Sequence, residues 1–137
     1  MTAYSAAETQ AGAVPREKSV FVVDDDHSML AGIKRLLAWH GFPTELFSSS
    51  DALLRHDNFE SAFCMILDID LEEESGLDLH TRLANDGILL PVIYITGNDS
   101  EDYRSSASER GCLAYLTKPF PAEALIASIA KASASLG

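Results

Sequence analysis

Residues 19–26 read SVFVVDDD, an apolar, β-branched run that breaks at once into three carboxylates. A short continuous apolar run bounded by acidic turn formers predicts a strand, here Ser19–Val23, buried on both faces. Strands of that kind belong to parallel sheets with helices packed over both sides.

Working outward, similar runs predict strands at Pro43–Phe47, Phe63–Leu67, Pro91–Ile95 and Leu113–Leu116. The segments between them carry apolar residues three and four apart, the helical period. Met29, Leu30, Ile33, Leu36 and Leu37 form one face of a first helix, with Gly41 as its stop and Trp39 as a packing residue. Asp51–His56 reads as a second helix capped by Ser50, and Leu77–Leu83 begins a third. Ser100–Glu109 reads as a fourth, polar and Ser-rich, so its packing face is expected to be thin. A fifth opens with Pro121 at its first helical position and buries Leu125, Ile126 and Ile129. Five alternating strand and helix units predict an α/β fold: a flavodoxin-like (βα)5 doubly wound parallel sheet in strand order 2-1-3-4-5. Residues 1–17 are small, polar and aperiodic, and read as a flexible leader. Residues 18–137 form the single domain that a chain of 137 residues allows.

Composition narrows the function. Twenty-one Asp and Glu against ten Lys and Arg give a net charge of −11. Such a surface repels phosphate backbones and anionic lipid, which argues against nucleic-acid or membrane binding and favours a cation ligand or a basic partner. No apolar run approaches the ~20 residues of a membrane span. Cys64 and Cys112 stand far apart beside apolar runs and read as free thiols of a cytoplasmic protein.

Ligands of an open parallel sheet bind beyond the carboxyl ends of its strands, where the strand order reverses. Beyond strand one stand Asp24, Asp25 and Asp26. Asp68 and Asp70 follow strand three, Thr96 follows strand four, and Lys118 and Pro119 follow strand five. Each has an ordinary reading: an Asp run ahead of a helix caps it, a Thr-Gly pair makes a turn, a Lys before Pro is solvated. Their joint placement at one sheet edge says more. Clustered carboxylates repel one another, and a divalent cation relieves the conflict. All-oxygen ligation suits Mg²⁺ rather than zinc. Mg²⁺ beside an ammonium and a hydroxyl is equipment for a phosphoryl group, which a carboxylate could attack to give an acyl phosphate.

The sequence here resembles the receiver domain of two-component response regulators over Lys18–Leu136. The carrying segments are VFVVDDD (Val20–Asp26), MILDID (Met65–Asp70) with Gly76 beyond it, YITG (Tyr94–Gly97) and AYLTKPF (Ala114–Phe120). The resemblance implies that Asp68 accepts a phosphoryl group from a sensor histidine kinase or phosphotransfer protein. It implies that Asp25 ligates Mg²⁺ with Asp68, that Asp24 does so directly or through water, and that Asp70 adds its backbone carbonyl. Lys118 would pair with Asp68 and then with the phosphoryl oxygens. Thr96 would swing toward the phosphate, and Tyr115 would follow as the aromatic switch. The Lys118–Pro119 bond is expected to be cis. The thin fourth helix, strand five and the fifth helix form the expected face for a downstream protein, and homodimerisation stays open.

The sequence departs from the family pattern at a few places. Glu72 stands where family members often carry Pro, and Glu73 and Glu74 follow it, so the run reads as a solvated loop or as extra charge near the site. Asp70 brings a carboxylate where many receivers have a neutral or basic residue. The residues after Lys118 suffice for one more helix, so the chain reads as a stand-alone receiver or a piece of a longer regulator, with no DNA-binding domain. Two rivals remain. Asp68-Ile69-Asp70 also resembles the first motif of haloacid-dehalogenase-type phosphatases, but there the acidic pair follows the lysine, and no Asp follows Lys118. A pseudo-receiver locked in one state would not need all these positions filled.

Overall fold

The computed structural model describes residues 18–135, so the expected leader over residues 1–17 lies outside the described residues. Five parallel strands form one sheet: β1 (Ser19–Val23), β2 (Thr44–Phe47), β3 (Ala62–Asp68), β4 (Val92–Thr96) and β5 (Ala114–Thr117), in the order β2-β1-β3-β4-β5. The helices are α1 (His27–Trp39), α2 (Ser50–Arg55), α3 (Gly76–Asn85), α4 (Glu101–Glu109) and α5 (Ala122–Ala134). The predicted doubly wound order is the one found. Among the described residues no helix is long and apolar enough to cross a membrane.

Strand periodicity divides the core in two. Successive strand side chains point to opposite faces. Val20, Val22, Cys64, Ile66, Ile93 and Ile95 therefore pack on one side, against Leu30, Ile33 and Leu37 of α1 and Leu125 and Ile129 of α5. Phe21, Val23, Met65, Leu67 and Tyr94 pack on the other, against Leu53 of α2, Leu79 and Leu83 of α3 and Ala107 of α4. Each fully buried aliphatic side chain contributes about 1.5–3 kcal/mol. The two layers thus hold the central strands rigidly, and with them the loops at their ends. Ala107 is the one residue of α4 that is buried, as its Ser-rich sequence predicts.

Several boundaries differ from the sequence reading. Ser49, not Ser50, caps α2 by accepting from the Ala52 amide. Ser50 is buried instead, and its hydroxyl donates to Glu73. Ser100 caps α4 rather than belonging to it, and Pro121 takes the N-cap position of α5. Trp39 does not pack: it is 86% exposed. Leu30, Ile33 and Leu37 define the inner stripe of α1, and Trp39, two positions past Leu37, falls on the opposite side of the helix. Gly41, with φ +82°, ends α1 in the left-handed region that a side chain disfavours. Cys64 and Cys112 are free, and burial pushes the Cys64 thiol up to about 12. The Lys118–Pro119 peptide is cis.

Candidate functional site

The carboxyl ends of β1, β3 and β5 converge. Asp24 closes β1 with its amide still bonded to the Phe47 carbonyl at 3.1 Å, and its side chain is fully buried. Asp68 closes β3 opposite Ile95 of β4, and is 3% exposed. Both make the same tight turn: Asp24 accepts from the Asp26 amide and Asp68 from the Asp70 amide, each at 2.9 Å. These bonds hold the carboxylates in place and aim their second oxygens at Lys118. Its ammonium lies 3.0 Å from Asp24 Oδ2 and 3.4 Å from Asp68 Oδ2. The run of three aspartates thus divides its labour. Asp24 and Asp25 face the site, while Asp26 turns away and caps α1 through the Ser28 and Met29 amides.

One ammonium cannot neutralise this group. Asp24, Asp25 and Asp68 each place a carboxylate oxygen within 4.8 Å of the others. Burial, with the Asp24 charge beside it, pushes the Asp68 carboxyl up to about 6, although the Asp70 amide and Lys118 pull the other way. Burial disfavours the charge on Lys118, but Asp24 and Asp68 outweigh it and raise its pKa. Three hard oxygen donors with surplus negative charge fit a divalent cation of the Mg²⁺ class and lack the Cys or His that zinc prefers.

Gly76 has a strict role here. A Cβ at that position would lie 2.3 Å from the Asp68 carbonyl oxygen, and the Gly76 amide donates to Ile69 O at 3.0 Å. Only glycine lets α3 start this close to the acidic loop.

The remaining predicted residues lie beside the cluster rather than in it. Thr96 is fully buried at the end of β4. Its hydroxyl donates to Asp70 Oδ2 at 2.6 Å and accepts from the Asn98 amide at 2.9 Å. The Asp70 carboxylate therefore points away from Asp24, Asp25 and Asp68, and its other oxygen accepts from the Tyr103 hydroxyl at 3.1 Å. Two hydroxyl donors thus hold this extra carboxylate on the α4 side. Tyr115 is half-buried on β5, its hydroxyl donating to Asp99 at 3.0 Å. Arg104 grips the same Asp99 through two bonds of 2.8 Å and lies 4.9 Å over the Tyr115 ring. Glu72 and Glu73 are exposed, as a solvated loop would have them, with Glu73 accepting from Ser50 and Glu74 from Arg82.

Tyr103, Asp99 and Arg104 were not legible as site residues. Their partners are remote in sequence or supplied by another element, and no spacing rule marks a tyrosine whose hydroxyl meets a carboxylate across the sheet edge. The model of the response regulator receiver domain matches residues 20–130. The chain belongs to that family. Among the curated relatives of this receiver domain is the response regulator protein TmoT of Ectopseudomonas mendocina. The two are 33% identical over 83% of this chain and 52% of that protein. Nodulation protein W of Bradyrhizobium diazoefficiens is likewise 33% identical, over 83% of this chain and 50% of its own length. The chain thus spans about half the length of these curated relatives. Among solved structures, a receiver domain from Clostridium thermocellum superposes with a TM-score of 0.80 at 30% identity, covering 86% of this chain and 95% of that one.

Proposed function

We propose that this receiver domain, taken as residues 18–137, is a phospho-accepting switch with Asp68 as the acceptor. A carboxylate oxygen of Asp68 forms a bond to phosphorus while the phosphorus–nitrogen bond of a donor phosphohistidine breaks. The bonding electron pair leaves on the imidazole nitrogen, and the product is an acyl phosphate. Asp24, Asp25 and Asp68, with the Asp70 backbone carbonyl, would hold Mg²⁺, which neutralises phosphoryl oxygens when bound. Lys118 already spans Asp24 and Asp68, so it needs only a small shift to share the new negative charge. Thr96 supplies the hydroxyl nearest the acceptor loop. Tyr115, held outside by Asp99 and Arg104, moves when the β4–α4 loop moves.

A phosphohistidine donor points to a sensor histidine kinase or a phosphotransfer protein upstream. Downstream, the surface of α4, β5 and α5 is the face that changes. Helix α4 buries only Ala107 and has little packing to lose. The acidic chain favours a partner with basic contact residues.

The observation that carries this reading is the meeting of Asp24, Asp68 and Lys118 within 3.0–3.4 Å, with Asp25 beside them. Incubation with Mg²⁺ and acetyl phosphate, followed by intact mass, tests it. One phosphoryl group should add to the wild type and none to Asp68→Asn or to metal-free protein. An addition that survives Asp68→Asn would refute the assignment.

A further inference from the structure

Thr96 has a single hydroxyl proton, and the Asp70 carboxylate holds it at 2.6 Å. The Thr96 oxygen is also occupied, accepting from the Asn98 amide. Thr96 can therefore donate to a phosphoryl group on Asp68 only by giving up Asp70. The other Asp70 oxygen takes the Tyr103 hydroxyl, from the first turn of α4. One carboxylate, two residues from the acceptor, thus bridges the end of β4 and the start of α4.

We propose that the Asp70 carboxylate is a latch coupling the acceptor to α4 through Tyr103. The inference rests on Asp68 being the phosphorylated residue. In the unmodified chain Asp70 anchors both hydroxyls and holds the first turn of α4 against the acidic loop. A phosphoryl group competes for the Thr96 proton and brings roughly −1.5 to −2 of charge close to Asp70. Having lost one donor and gained a like-charged neighbour, the Asp70 side chain turns outward and releases Tyr103. The other holds on α4 sit elsewhere: Ala107 is its one buried residue, and Arg104 ties its start to Asp99 at the exposed edge. Arg110 at its C-cap donates to Leu77 O and Thr81 of α3 at the far end, so the first turn depends on Asp70. The tyrosine ring itself packs against the core, so Tyr103→Phe removes the hydroxyl bond and keeps the packing.

Backbone hydrogen exchange of α4, read by mass spectrometry with and without Mg²⁺ and acetyl phosphate, tests the latch. Wild-type α4 should exchange about tenfold faster once phosphorylated, the scale of a lost hydrogen bond to a charged group. Tyr103→Phe should show that faster exchange before any donor is added, and phosphorylation should add little to it. Asp70→Ala, which leaves the tyrosine intact, should behave the same way. A tyrosine with a purely structural role would leave the phosphorylation-dependent increment at its wild-type size. That outcome, with normal mass gain at Asp68, would overturn the latch alone. Absence of any mass gain in the wild type would overturn the acceptor assignment and the latch with it.

Discussion

Asp68→Asn should make the metal-free protein more stable at neutral pH. Asp68 is almost fully buried beside Asp24, and both lean on one ammonium. Its carboxyl is raised to about 6 from an ordinary 3.8. That displacement corresponds to about 3 kcal/mol between the charged and neutral forms at pH 7. Asn is neutral, keeps the shape, and still accepts from the Asp70 amide. Urea denaturation in EDTA at pH 7 should therefore favour the variant by about 3 kcal/mol, or roughly 10 °C in Tm. Because the folded-state pKa lies above the unfolded one, the wild type regains stability as pH falls from about 6 toward 4. The advantage of the variant should vanish over that window. Equal stabilities at pH 7 in EDTA, or an advantage that grows on acidification, would show that the buried carboxylates are not in electrostatic conflict. The case for a cation site would then collapse.

Two further outcomes follow from the same geometry. Mg²⁺ should raise the wild-type Tm, by about 2.7 kcal/mol of stability at a hundredfold excess over its Kd, and Asp25→Ala should lose most of that gain in a calorimetric titration. Gly76→Ala forces a Cβ to 2.3 Å from the Asp68 carbonyl; it should cost about 1–3 kcal/mol in urea denaturation and slow phosphoryl uptake from acetyl phosphate, and wild-type values for both would refute the close-approach argument.

The sequence by itself determined the sheet, because parallel strands buried on both faces must be continuously apolar and β1, β3 and β4 are so. It also determined which residues meet at the sheet edge, since strand order places Asp24, Asp68, Thr96 and Lys118 at neighbouring carboxyl ends. What only the tertiary structure decided is direction. Asp26 caps α1 while Asp24 and Asp25 face Asp68. The Asp70 carboxylate turns toward Thr96 and Tyr103 instead of joining the acidic cluster, and Ser50 serves Glu73 rather than a helix end. Apolar periodicity is a property of a segment and can be read along the chain. The aim of the Asp70 or Ser50 side chain depends on which donor or acceptor stands within about 3 Å across the fold, and such long-range hydrogen bonds, unlike helix caps, carry no signature in local sequence spacing.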